Sequence, residues 1–389
     1  MSIPCASGSD TFQSSDPETR SSISDDRITP EMFWVKHQPF LASEGYMLRP
    51  RYHPNWTPSW IRKDGTTRWR FRASFEDEHS LLTPRVLDAV RMKDGVKVVI
   101  RITRTDTASL SMAKRLCSSD KPRNHTVPIL EVIPIPDDED QRVFMVMPML
   151  KLFHEPEFHC RPYPSPTLFD ILIDFYLQGL VFMHSLNVAH GDVSPLNFLM
   201  DSAKVCPKGY HYVSETSYDG IHWSLPVRPR YRIGPIQYYI IDFESAQEYP
   251  AGKETALTTR NLRCGIRSSP EFSLGEPCNP FKLDVYNAGA TFFELCEVIF
   301  LPILTVLLTL AIRDIKDWMT SSLLLDMMSE DPLARPDIED ALRRLDNLVS
   351  LNDKLWLRGK IWRLCAWVKP PSHLIQYLRR KFPVLLPYF

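Results

Sequence analysis

Apolar positions change period several times along the chain, and the changes mark its elements. Residues 1–30 have no apolar period and are rich in Ser, Thr and Asp. Such a stretch buries too little apolar surface to order itself, so 1–31 is expected to be a disordered leader. From 32 to 65, Trp34, Phe40, Tyr46, Trp56 and Trp60 are interleaved with Pro and Arg. That much aromatic surface has to be covered, so this extension is expected to pack on the main domain. Strand-like runs follow from Thr66. Arg85 to Ile102 gives two β-rich runs joined at Asp94-Gly95, a hairpin signal. Alternation along the second run places Lys97, Val99 and Arg101 on one face. Residues 106–118 read as a helix with Leu110, Ala113, Leu116 and Cys117 on one side, and Arg142–Leu150 as an apolar strand running into a linker. Leu168–Leu186 reads as a long amphipathic helix carrying Ile173, Tyr176, Leu177, Leu180 and Met183 along one side.

Two stretches break this order. Asp201–Gln237 is rich in Pro, Tyr, Arg and Ser and reads as a long loop. It is either a solvated loop or a docking element that uses Arg228, Arg230 and Arg232. Val298–Ile312 is free of charge but contains Pro302 and falls short of the ~20 residues of a membrane span, so it reads as a buried helix.

Composition narrows the class. At 389 residues, 44% hydrophobic and 24% charged, the chain has material for a large core. The net charge of −1 gives no reason to expect nucleic-acid binding, and the basic, aromatic extension has no repeat or helix that would aim it at a groove. Charge is uneven, however: residues 351–389 hold eight Lys or Arg and one Asp, a balance of +7 against −8 for the rest. That tail is a basic amphipathic segment suited to an anionic membrane surface, to an acidic partner or to docking on the main domain. The eight Cys are scattered without a C-x-x-C pair, and residues 1–30 lack a signal-peptide pattern. Both point to reduced thiols in the cytoplasm or nucleus. His154, His159 and Cys160 match no common zinc spacing and read as loop side chains.

The candidate chemistry lies in two stretches. Val188-Ala-His-Gly-Asp-Val-Ser-Pro-Leu-Asn197 follows the amphipathic helix, and Tyr238-Tyr-Ile-Ile-Asp-Phe-Glu244 is an apolar strand ending in Asp242. The first resembles the H-x-D-x-x-x-x-N catalytic loop of protein kinases and the second their metal-binding Asp-Phe-Gly, with Glu244 in place of Gly. Three further stretches resemble the same family: Ser269-Pro-Glu271, Asp284-Val-Tyr-Asn-Ala-Gly and Asp331-Pro-Leu-Ala-Arg-Pro336. The extension around residues 38–60 and the insertion at 201–237 are similar to those of a fungal (basidiomycete) group of kinase-like proteins. The resemblance covers about residues 32–350.

The resemblance implies an α+β, two-lobed fold: an N-lobe at 66–147 with a small antiparallel sheet and one helix, and a mainly helical C-lobe at 148–350. It also implies ATP and Mg²⁺ as cofactors. Asp192 would be the catalytic residue. Val99 would roof the adenine, Met147 would guard the back of its pocket, and Leu150 would offer it an N–H from the hinge. Arg101 would stand where a Lys usually grips the phosphates, and Asn197 and Asp242 would hold the metal. His190, Asp284 and a Glu271–Arg335 pair would be structural. Thr255, Thr258 and Thr259 are the candidate phosphosites of the activation segment. Several expected parts are missing. No Gly lies between Gly65 and Gly95 to form a phosphate loop, the helix at 106–118 has no Glu, and Gly191 and Ser194 stand where Arg and Lys are usual. Three readings follow: a Ser/Thr protein kinase acting on a protein substrate, a pseudokinase that binds nucleotide or partners, and a small-molecule phosphotransferase like the aminoglycoside and choline kinases.

Overall fold

The first helix, α1 (Thr29–Ser43), starts where Pro30 can occupy the first turn and where Glu31 reaches back to the Ile28 N–H at 2.8 Å. The protein is seen here in a computed structural model that describes residues 27–62, 64–66, 75–121, 123–155, 177–228, 230, 233–259, 269–271, 277–307 and 322–351. The leader lies outside these residues except at its end, where Thr29–Glu31 belong to α1 rather than to the leader. Glu31 is fully buried and accepts Arg51 Nε and Nη2 on its two carboxylate oxygens, at 2.6 and 3.0 Å. The charge is therefore desolvated only together with its partner.

The aromatic extension packs as expected. Trp34 is wholly buried against Phe144, with ring centroids 5.9 Å apart, and its indole N–H donates to the Pro84 carbonyl at 3.1 Å. The extension also supplies a strand, β1 (Tyr46–Leu48), so the sheet begins well before residue 66. β2 (Val86–Arg91), β3 (Val96–Arg104), β4 (Glu131–Pro134) and β5 (Arg142–Pro148) complete a five-stranded antiparallel sheet in the order β1-β2-β3-β5-β4. The β2–β3 hairpin turns at Asp94-Gly95, where Gly95 adopts φ +71°. Val98, Ile100, Phe144 and Val146 face α1 and are fully buried. Val143 and Met145 face the opposite way, onto Leu110 of α2 (Ala108–Cys117). The sheet is thus a central layer between two helices.

Among the described residues after β5, helix alternates with short strands and loops; the helices are α3 (Gln178–His184), α4 (Pro280–Leu307), α5 (Ser322–Met327) and α6 (Ile338–Leu351). Short strands thread between them, with β6 (Lys151–Leu152), β8 (Phe198–Met200) and β9 (Tyr238–Ile240) in one sheet and β7 (Val188–Ala189) paired with β10 (Gln247–Glu248). Their core joins Leu180 and Met183 of α3, Phe198, Ile240, Val285 and Ala288 of α4, and Ala341 and Leu345 of α6. The helix expected over 168–186 is described only from Leu177 onward. Val298–Leu307 continues α4 through Pro302 instead of starting a new helix, and 308–312 lie outside the described residues, as does the tail from 352. Among the described residues, no helix is long and apolar enough to cross a membrane.

Glu271 and Arg335 form a two-pronged pair at 2.6 and 2.9 Å, with Arg335 also donating to the Ser329 and Lys282 carbonyls and lying over the Tyr286 ring. All three guanidinium nitrogens are occupied in a site from which water is excluded. Arg335→Leu would leave the buried Glu271 carboxylate uncompensated. Chemical denaturation should show a loss of roughly 3–5 kcal/mol, and a loss under 1 kcal/mol would contradict this account of the pair.

Candidate functional site

A buried carboxylate organises the loop that follows β7. Asp284, in the first turns of α4, is fully buried and accepts the backbone N–H groups of His190 at 2.8 Å and Gly191 at 2.9 Å. His184 at the end of α3 donates Nε2–H to the same carboxylate at 3.0 Å. The His190 ring is held at both ends. Its Nδ1 accepts the Asp192 N–H at 3.2 Å, which leaves Nε2 to donate to the Ile241 carbonyl at 3.0 Å. Gly191 lies at φ +74°, a backbone that a side chain would strain, which explains Gly at that place. Val193, fully buried, anchors the loop in the core.

These contacts bring the predicted residues together. Asn197 donates through Nδ2 to the Asp192 carbonyl at 2.8 Å and to Asp192 Oδ2 at 3.0 Å. The Asn197 carbonyl accepts the Ile241 N–H at 3.0 Å, so Asp242 follows directly beside it. Asp242 holds φ +62°, a costly conformation for a non-glycine residue. The next residue, Phe243, is buried and its ring lies edge-on to His190 at 6.0 Å. Asn197 spends its nitrogen on Asp192, which leaves its oxygen, like those of Asp242, as an acceptor. Oxygens are the donor type that a small divalent cation takes, but among the described residues no three His, Cys, Asp or Glu side chains converge to hold a metal ion.

Across the groove, β3 presents Lys97, Val99 and Arg101, all half-buried, while Val98 and Ile100 point into the α1 layer. Arg101 NH1 stands 3.4 Å from Asp242 Oδ1, and NH2 pairs with Glu244. Val99 lies opposite Met147 in the β3–β5 ladder, and Met147 and Leu150 are half-buried against the helical core. Arg101 is thus the β3 residue that the ion pairs bring to Asp242, while Val99 and Met147 are placed beside one another by the sheet register. Of the candidate phosphosites, Thr258 is buried and bridged to Cys278, while Thr255 and Thr259 are exposed.

Sequence reasoning missed two features. One is Glu244, which stands out only as a departure from Gly. The other is the 201–237 stretch, part of which packs against the fold while residues 221–224, Val227 and Arg228 are exposed. Val205, Cys206, Tyr210, His211 and Arg230 are buried, and Arg232 lies outside the described residues. Tyr210 donates its hydroxyl to the Leu150 carbonyl at 2.7 Å, and its own carbonyl takes Lys97 Nζ at 2.7 Å. His211 contacts Glu76 at 3.1 Å, and His79 reaches the Gly220 carbonyl at 2.8 Å. The stretch thereby bridges the sheet layer and the linker after β5.

Beneath this bridge, buried Lys151 pairs with both Glu155 and Glu215 at 2.9 Å. Burial, and then the facing Glu155, push the Glu215 carboxyl up. Burial also lowers His154 to about 4, with Arg230 and Lys151 adding to the fall against the pull of Glu155. Its Nδ1 has no hydrogen-bond partner among the described residues. His159 and Cys160 lie outside those residues. Compared with known proteins, the chain matches no family model and no curated protein.

The lowered His154 has a consequence for pH. It is neutral in the fold and takes up a proton on unfolding below about 6.5, so its contribution is present above that pH. As pH falls from 6.5 towards 4, unfolding should become easier by up to roughly 3 kcal/mol. Denaturation of wild type and His154→Phe across this range should give a flatter profile for the variant; parallel profiles would refute the assignment.

Proposed function

We propose that the chain is a two-lobed protein-kinase-like enzyme. It binds ATP with Mg²⁺ in the groove between sheet and helices and transfers the γ-phosphoryl group to Ser or Thr of a protein in the cytoplasm. The observation that supports this most is the convergence of Asp192, Asn197 and Asp242, with Arg101 of β3 reaching Asp242. Asp192 accepts the proton of the attacking hydroxyl as its oxygen bonds to the γ-phosphorus and the bond to the ADP oxygen breaks. Asn197 and Asp242 would hold the cation through their oxygens. When bound, the cation neutralises charge that builds on the phosphates. Arg101 grips phosphate oxygens as a planar fork rather than as a point charge. Val99 and Met147 cover the base, and the Leu150 N–H meets its edge. His190 and Asp284 act on the loop only by fixing its backbone, which is where positioning catalysis gains most.

A pseudokinase is favoured by a specific observation: Arg101 already neutralises Asp242 and Glu244, and Tyr210 and Lys97 close the flank of the groove at Leu150. One experiment separates the readings. Mg·ATP should raise the melting temperature of both wild type and Asp192→Asn, whereas γ-phosphate transfer to protein should fall on the order of 10²–10⁴-fold in the variant. No stabilisation by nucleotide would sink the enzyme reading. Binding without Asp192-dependent transfer would establish the pseudokinase, and transfer to a small alcohol alone would establish a small-molecule phosphotransferase.

A further inference from the structure

If Arg101 grips phosphate, something has to hold its guanidinium in place. β3 brings the residue to the groove, but a long side chain on a half-exposed strand face visits several rotamers unless a partner selects one. α2 cannot be that partner, because Ala108–Cys117 contains no acid. Asp106, just before it, is taken by Arg104 at 2.9 and 3.0 Å. The acids come instead from Asp242, whose Oδ1 lies 3.4 Å from Arg101 Nη1, and from the stretch after it. Glu244 takes Arg101 NH2, and four residues on, Glu248 of β10 takes Arg115 from the last turn of α2. The polarity is consistent across both contacts: β3 and α2 contribute the bases, and residues 242–248 contribute the acids.

We infer that Glu244 is the positioning residue for Arg101, orienting its guanidinium fork towards two adjacent phosphates of a nucleoside di- or triphosphate, while Glu248 and Arg115 seat α2 on the same stretch. The inference rests on the nucleotide-binding reading above. The reasoning turns on how exposed the pair is. Glu244 is half exposed, so its contact with Arg101 adds little to the stability of the empty protein. Its effect appears when a ligand uses the oriented fork. With one N–H of Nη1 turned to Asp242 and one of Nη2 to Glu244, the remaining donors of the fork can meet a second phosphate, which only the diphosphate offers.

Binding of ADP and of AMP to the full chain without Mg²⁺, measured by calorimetry, tests this together with the apo melting temperature. Wild type should prefer ADP by about tenfold, the worth of one charged hydrogen bond. Glu244→Gln should lose most of that preference while its apo melting temperature stays near wild type. Glu244→Asp should recover part of it, and Arg101→Ala should abolish it. A Glu244→Gln protein that keeps the full preference, or binds ADP more tightly, overturns the positioning role and leaves the nucleotide reading standing. An Arg101→Ala protein that keeps the preference overturns the inference too. Absence of any nucleotide binding by wild type overturns both.

Discussion

A single carboxylate, Asp284, sets where everything in the groove can be. It has no exposure, so each of its lone pairs has to be met from within the protein, and the donors that meet them are the backbone of His190 and Gly191 and the ring of His184. Fixing two successive amides fixes the peptide that precedes Asp192. The His190 ring carries the constraint on to Ile241, and Ile241 to Asp242. Two stretches far apart in sequence are in this way registered to one another through a helix that belongs to neither.

Much of this was legible beforehand, where local chemistry decides the outcome. The hairpin at Asp94-Gly95 needs only a residue tolerant of positive φ, and the division of β3 into an inward Val98/Ile100 face and an outward Lys97/Val99/Arg101 face follows from strand alternation. The Glu271–Arg335 pair and the tether from Asp284 were expected through resemblance, and both are present in the geometry.

Other features depend on partners that no period announces. β1 is a three-residue strand inside an aromatic stretch, too short to show alternation, and it exists because β2 offers it an edge. The 201–237 stretch reads as a loop because its buried residues are polar or aromatic and unevenly spaced. They are held by hydrogen bonds to Lys97, Glu76 and Leu150 rather than by an apolar face. Glu244 looked like a lost glycine, and only the fold reveals the guanidinium that meets it.

The bridge from Tyr210 and His211 also bears on motion. It joins the sheet layer to the linker after β5, so a hinge motion that widens the groove on that side has to break the Lys97, Tyr210 and His211 contacts together. Opening on that flank is thus a concerted event, set by residues that lie outside the loop at 188–197.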